Sequence, residues 1–359
     1  MKNKNILELC LAHGLGGLEM FVASCYEEFS KKGTCKVVVA PNSKLDNYLD
    51  INDKFHIKRS KFFPFISAFE LAKYIDKNDI DIVHFHWTKD IITAVLAKVF
   101  SKKKPKLVQS RHMRMTRFKD DFYHKWLYKN IYMIHAVTKD VAKQLEKFIP
   151  LEIRPKIEMV YLGVKAAKID AKKVAKLKQR YQLRDEFVVG IVGRIEKGKG
   201  QYKVLEAIAQ LKDLNIKAVV VGSFMNDAYK KELAEYVKDL GIEQKVIFTG
   251  FTKDVNEHMQ LFDVNVLATE NETFGLVVIE AMENGVPVIA TNKGGPLEII
   301  EDGVDGLFFD STSNDLEEKI EMLYNNENLK KKLTKHGYAK IREKFDYEKQ
   351  LNILYEVVI

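Results

Sequence analysis

The stretch TENETFGLVVIEAMENGVPVIATNKGGPLE, residues 269–298, decides the reading of this 359-residue chain. Two carboxylates, Glu272 and Glu280, stand with seven residues between them, and the turn Phe274-Gly275 falls in that interval. The apolar run ending at Leu267 reads as a strand that gives way to a polar loop. A helix is predicted from near Gly275 to the Asn284-Gly285 turn, and another strand begins at Val286. The first amides of such a helix lack partners inside it, and its dipole adds positive potential there. Gly275, Leu276 and Val277 therefore predict an anion site of the kind that takes a phosphate. A carboxylate beside a phosphate is unfavourable unless it binds hydroxyls, as those of a sugar. A surface Glu and a helix Glu beside a core strand would leave the same letters, so this stretch alone keeps both readings open.

Outward from it, the chain alternates short apolar β runs with helical segments, the signature of parallel sheets covered on both faces. The first series places strands at 6–10, 37–40, 55–57, 82–85, 107–109 and 134–137. Helices fall between them at 18–32, 66–77, 90–100, 120–129 and, after the last, 139–147. A Lys-, Ala- and Asp-rich segment, 161–186, reads as a linker. Alternation restarts at Val188, with strands at 188–192, 218–222, 245–250, 264–267 and 286–290. Two tandem Rossmann-like α/β domains are expected, with ligands beyond the carboxyl ends of their strands.

Two glycine loops follow first strands. HGLGGLEMF (13–21) matches a dinucleotide fingerprint at Gly14 and Gly16, but Glu19 stands where the third glycine belongs. GRIEKGKG (193–200) matches the start of a P-loop, but Gly200 replaces the Ser or Thr that holds magnesium. Asp79 and Asp81 imitate a metal-binding DxD motif, but they precede their strand and read as a structural turn. His84 and His86 share a strand face with no third metal ligand apparent, which favours a structural pair.

Taken together, Glu272-x7-Glu280, Gly193-Arg194 with Lys199-Gly200, and Gly16-Gly17-Leu18-Glu19 resemble the motifs of retaining GT-B glycosyltransferases, the family 4 (group 1) type. The resemblance spans nearly the whole chain. It implies an acceptor-binding domain, 1–163, and a nucleotide-sugar-binding domain, 164–344, with a cleft between them and a crossover helix at 345–359. Arg194, a planar fork of donors, and Lys199, a point charge, would neutralise the leaving diphosphate. Gly16 and Gly17 would approach the donor phosphates. Phe274, Gly275, Leu276 and Val277 would line the donor, and Ser223 with Phe251 the nucleotide base. Glu280 would grip the ribose, and Glu272 the sugar hydroxyls. His112, after strand 107–109, would contact the transferred sugar. Its flanks, Arg111, Met113 and Arg114, stand where the family has small or acidic residues, which suggests an acceptor bearing phosphate or carboxylate met by Arg111 and Arg114. Glu19, from the glycine loop, and His86, from the segment 81–86 that is similar to one bordering the family's acceptor cleft, are assigned to the acceptor as well. A histidine merely packed at a strand end is the plain alternative for His112.

The implied enzyme is hexosyltransferase-type, with no cofactor and no metal. It would move a sugar from a nucleotide-diphospho-sugar to a glycan or lipid-linked acceptor of bacterial lipopolysaccharide, capsule or another surface polysaccharide. An epimerase of the same fold, or a non-enzymatic membrane-surface binder, are the competing classes.

Composition agrees with a soluble protein: 46% hydrophobic and 30% charged residues, with no run of the roughly 18 apolar residues needed to span a bilayer. Glu8 and His13 interrupt the first apolar stretch, which argues against a signal peptide. Cys10, Cys25 and Cys35 form no CxxC pair and suggest reduced core thiols in a cytoplasmic protein. Charge is lopsided: residues 1–165 hold 30 Lys and Arg against 18 Asp and Glu, and the remainder 28 against 32. Basic runs at 101–106 and 111–119, and KRSKFFPF (58–65), suit peripheral contact with an anionic membrane at its inner face. A solvated basic face over buried phenylalanines is the plainer reading. No base-reading module accompanies the charge, which argues against nucleic acid.

Overall fold

The computed structural model describes residues 4–60 and 64–359. Lys61, Phe62 and Phe63, part of the basic-aromatic segment singled out above, lie outside the described residues. The chain divides into two compact units, Met1–Leu162 with Glu348–Ile359, and Gly163–Tyr347.

The first unit holds a seven-stranded parallel sheet. Its strands are β1 (Ile6–Cys10), β2 (Cys35–Val39), β3 (Lys54–His56), β4 (Ile82–Phe85), β5 (Lys106–Arg111), β6 (Met133–Ala136) and β7 (Lys156–Met159). They lie in the order β3-β2-β1-β4-β5-β6-β7. Every residue of β1, β4 and β6 is buried, as strands covered on both faces require. The final helix, Tyr347–Val358, joins this unit from Glu348 onward, with Tyr355 edge-on to Phe29 at 5.3 Å and beneath Lys32.

The second unit holds six parallel strands: β8 (Phe187–Val192), β9 (Ile216–Val221), β10 (Val246–Gly250), β11 (Val264–Leu267), β12 (Val288–Thr291) and β13 (Leu307–Phe309). Their order is β10-β9-β8-β11-β12-β13. In each sheet the strand order reverses beside the unit's first strand, between β1 and β4 and between β8 and β11. The crevice at such a reversal is where open α/β sheets bind ligands.

The structure differs from the sequence reading in a few places. The segment taken as a linker contains the helix Ala171–Arg180, started by Asp170, whose carboxylate accepts from the amides of Lys172 and Lys173. Its Lys and Ala content is helix propensity on a solvated surface. The helix placed at 120–129 starts at Phe122, because Asp121 caps it through the His124 amide. Strand β7 escapes a search for apolar runs because KIEM is a polar edge strand. Lys103 pairs with Asp79 at 2.5 Å and Asp81 at 3.2 Å, and Asp81 accepts from the Asn5 amide. The DxD look-alike is a structural turn before β4.

Candidate active site

In the second unit, the residues assigned to the donor gather beyond the carboxyl ends of four neighbouring strands, β10, β9, β8 and β11. Arg194 follows β8, with its side chain more than half exposed and one guanidinium nitrogen 2.9 Å from Glu196. Its loop is tied to the one after β9, where Ile195 donates its amide to the Ser223 carbonyl and Met225 donates back to Ile195. The Gln201 side chain donates to the Arg194 carbonyl at 2.9 Å. Gly222 donates to the Gly250 carbonyl, which brings Ser223 beside the end of β10 and the exposed Phe251.

After β11 the chain carries Glu272, whose carboxylate lies 3.4 Å from the Lys199 ammonium. Two residues intended for different parts of the donor thus meet directly. Gly294, after β12, adopts φ +70°, and a Cβ there would stand 2.3 Å from the Glu272 carbonyl oxygen. Gly295 donates its amide to that same oxygen at 3.0 Å. Only glycine satisfies both the left-handed backbone and the close approach.

Gly275, at φ +100°, is the N-cap of the helix Leu276–Glu283, and no side chain caps it. The Val278 amide turns to the Gly275 carbonyl, leaving the amides of Leu276 and Val277 as the outward donors of the first turn. The Phe274 ring is a correction to the reading above. It is 3% exposed and packs edge-on to Phe345 at 6.0 Å, so its side chain belongs to the core. Glu280 projects half-buried from the next turn, and burial raises its carboxyl to about 6.

In the first unit, Gly16 is the N-cap of the helix Gly17–Ser30, and Glu19 reaches back to accept the Gly16 amide at 2.8 Å. Glu19 therefore shapes the glycine loop instead of standing free for an acceptor. His112 follows β5 and is half-buried against Phe21, with ring centroids 5.2 Å apart. His86 is 1% exposed and lies beneath it, Nδ1 to the His112 Nε2 at 3.4 Å. Burial moves His86 from the surface role assigned to it into the layer supporting His112. Arg111 also changes role: 7% exposed, it donates to the Thr88 hydroxyl and to the carbonyls of Met113 and Arg114. Its guanidinium is spent on bracing the loop. Arg114 stays exposed, 3.5 Å from Asp140.

The sequence profile of the glycosyl transferases group 1 family matches residues 173–340, and that of glycosyltransferase family 4 matches residues 15–168. The chain is a group 1 glycosyltransferase. N-acetyl-alpha-D-glucosaminyl L-malate synthase of Bacillus anthracis is 26% identical to it over 294 residues, 79% of this chain and 75% of that protein. The capsular polysaccharide biosynthesis glycosyltransferase CapM of Staphylococcus aureus is 33% identical over 175 residues, 47% of this chain and 46% of that one. In fold, the glycosyltransferase matches the Anabaena protein HepE, solved in complex with UDP and glucose, at a TM-score of 0.88 and 20% identity over 99% of both chains. The two parallel sheets are those of a GT-B fold.

Sequence reasoning missed Glu8, Ser110 and His135 of this glycosyltransferase. Glu8 accepts from His84 at 3.0 Å and His86 at 2.6 Å; Ser110 lies 2.7 Å from both His84 and His135. The signal was present, since a charged or polar residue in the middle of a fully buried parallel strand needs a partner there. Glu8, Cys25, His84 and His86 also bring one ligand atom each within 4.8 Å of one another, a grouping the sequence reading excluded for want of a third ligand. A cavity of about 430 Å³ lined by Arg184, Glu186, Phe187, Asp263 and Tyr324 lies at the amino end of β8, away from the donor residues.

Two outcomes follow from this geometry. Gly294→Ala forces a left-handed alanine against a backbone oxygen and should lower unfolding free energy by roughly 2–3 kcal/mol, read from urea denaturation. An unchanged midpoint would show that the loops after β11 and β12 are not locked together. The folded Glu280 carboxyl lies above its ordinary value of 4.5, so its stabilising share is whole below pH 4.5 and lost as pH rises through about 6. Glu280→Gln should leave stability at pH 4.5 nearly unchanged and raise it at pH 7 by roughly 1 kcal/mol. Equal offsets at the two pH values would contradict this.

Proposed function

We propose that this glycosyltransferase moves a sugar, with retention of anomeric configuration, from a nucleotide-diphospho-sugar to a glycan or lipid-linked acceptor of a bacterial surface polysaccharide. The observation that carries the reading is the gathering of Arg194, Lys199, Glu272, the Gly275 helix start and Glu280 on one sheet edge. Breaking an anomeric bond builds positive charge on the sugar and negative charge on the departing diphosphate. Arg194, Lys199 and the Leu276 and Val277 amides supply the complement to that negative charge, which makes a resident metal unnecessary. A positioned donor of this kind contributes about 3 kcal/mol to a transition state, or ~10²-fold in rate. The helix dipole adds only ~0.3–1 kcal/mol, so the two side chains dominate.

Glu272 reads hydroxyls of the transferred sugar. Its 3.4 Å contact with Lys199 holds acid and cation side by side, one for the sugar and one for the diphosphate. Glu280 binds the ribose hydroxyls, while Ser223 and Phe251 border the base. The leaving phosphate helps take the proton of the attacking hydroxyl, and His112 positions the sugar. The complex of HepE with UDP and glucose supports a nucleotide-sugar donor, and the capsular role of CapM supports a surface glycan.

The first unit offers a surface for the acceptor's membrane. The helix Pro64–Lys77 leaves Phe65, Ile66 and Phe69 more than half exposed, with the Lys73 ammonium over the Phe69 ring. Apolar side chains beside cations suit anionic headgroups at the inner face of a cytoplasmic membrane. No helix among the described residues is long and apolar enough to cross a membrane.

A thermal-shift panel of UDP-, GDP- and ADP-sugars should single out one nucleotide. With the donor so found, Arg194→Ala should cut turnover ~10²-fold while circular dichroism stays unchanged. Near-wild-type turnover would remove the proposed diphosphate site. For the membrane surface, Phe65→Ser/Phe69→Ser should abolish sedimentation with phosphatidylglycerol vesicles and spare the thermal shift. Equal sedimentation of both proteins would dismiss it.

A further inference from the structure

A polar seam crosses the core of the first unit. Glu8 and His84 are register partners in β1 and β4, and Ser110 and His135 are partners in β5 and β6. All four are fully buried. Cys25, Phe21 and Phe29 of the helix Gly17–Ser30 cover the seam, with Phe29 stacked on His84 and Phe21 against His86, His112 and His135.

Its hydrogen bonds admit few proton placements. The Val160 carbonyl can only accept, so His135 donates to it from Nε2 at 2.8 Å. Burial lowers His135 to about 3, so the ring is neutral and its Nδ1 accepts the Ser110 hydroxyl proton. The Ser110 oxygen is then left to accept from His84 Nε2 at 2.7 Å. One further proton lies between His84 Nδ1 and Glu8 Oε1. Burial pushes the Glu8 carboxyl up, but the charges and hydrogen bonds of His84 and His86 outweigh it and hold it at about 2. Glu8 is therefore held as a buried carboxylate.

The consequence reaches the surface. Glu8 Oε2 accepts from His86 Nε2 at 2.6 Å whichever of the two partners holds the shared proton. Burial lowers His86 to about 4, so its other nitrogen, Nδ1, is bare. That bare nitrogen faces His112 Nε2 at 3.4 Å, and the contact is a hydrogen bond only if His112 carries its proton on Nε2. We propose that Glu8, acting through His86, is a positioning residue that fixes His112 as the Nε2–H tautomer and leaves its Nδ1 lone pair as the proton acceptor at the end of β5. This rests on His112 as a site residue and adds to that reading the proton state in which it works. A hydroxyl proton of the sugar or acceptor is the chemistry a neutral Nδ1 accepts, so His112 is set as a hydrogen-bond acceptor and not a cation.

A metal in the same cluster fits less well. Tetrahedral ligands about 2 Å from zinc stand roughly 3.3 Å apart, whereas Glu8 Oε2 and His86 Nε2 are 2.6 Å apart. Burial also raises the Cys25 thiol well above its ordinary value, away from the thiolate that zinc requires.

The test is ¹⁵N NMR of the full chain labelled in histidine, with the His112 signals assigned by their loss in His112→Gln. His112 should show one protonated nitrogen, Nε2, near neutral pH. In His86→Phe, which removes the acceptor and keeps an aromatic ring, it should become a mixture of tautomers. A His112 protonated on Nδ1 in the wild-type chain, or a tautomer unmoved in His86→Phe, would overturn the proposal. The wild-type spectrum decides the point even if that variant fails to fold. Zinc at one equivalent after dialysis against a chelator would also overturn it. None of these readouts requires a sugar donor, so they fail or succeed independently of the proposed transfer reaction.

Discussion

The 3.0 Å hydrogen bond from the Gly295 amide to the Glu272 carbonyl joins the loop after β11 to the loop after β12. Much of the candidate donor site hangs on that junction. It holds the backbone of Glu272 so that the side chain meets Lys199, and it sits two residues before the Phe274-Gly275 turn that starts the helix bearing Glu280. The contact is short because Gly294 has no Cβ to keep the loops apart. Ordering these two glycines costs backbone entropy, but that cost is met on folding and not again when a ligand binds. The junction therefore suits an edge where charges must stand ready before a ligand arrives.

The two units solve the positioning problem with different materials. The second sheet edge relies on backbone: amide-to-carbonyl ties between the β8, β9 and β10 loops, and a helix start whose capping residue has no side chain. Arg194 remains exposed and free to change partners, while Lys199 and Glu272 are partly buried against each other. The first unit relies on side chains. Arg111 ties its own loop to Thr88, Glu19 returns to Gly16, and a buried acid stands under His86 and His112. Exposed cations suit a phosphate that brings its own charge, whereas a neutral histidine needs a fixed environment to hold one tautomer.

The fold, and the gathering of Arg194, Lys199 and Glu272 on one sheet edge, were legible because they are written in local terms. Alternating apolar runs mark parallel strands, and glycine at strand–helix turns marks close backbone approach. The helix start at Gly275, where an anion site was expected, could be read from that logic and stands where the sequence placed it. What could not be read depends on depth. His86 and Arg111 lie at strand ends and Phe274 just before a helix start, yet each side chain turns inward. Sequence places a residue on an edge; only packing decides whether its side chain faces solvent or core. The seam was hidden for a related reason: its members lie on four separate strands, and their partnership exists only after β1 pairs with β4 and β5 with β6.

The seam is also an odd way to stabilise a core. Taking a carboxylate out of water costs several kcal/mol, and well-packed apolar residues of like volume often do as well or better than buried charged groups. Between β1 and β4 the flanking rows show the cheaper solution, Leu7 against Val83 and Leu9 against Phe85, all four fully buried. Stability alone therefore gives no reason for Glu8 to sit beneath two histidines. A fixed proton does: an ionised acid in a dry environment imposes donor and acceptor roles along a chain of rings, and the chain ends at His112, where the interior gives way to the ligand-binding edge.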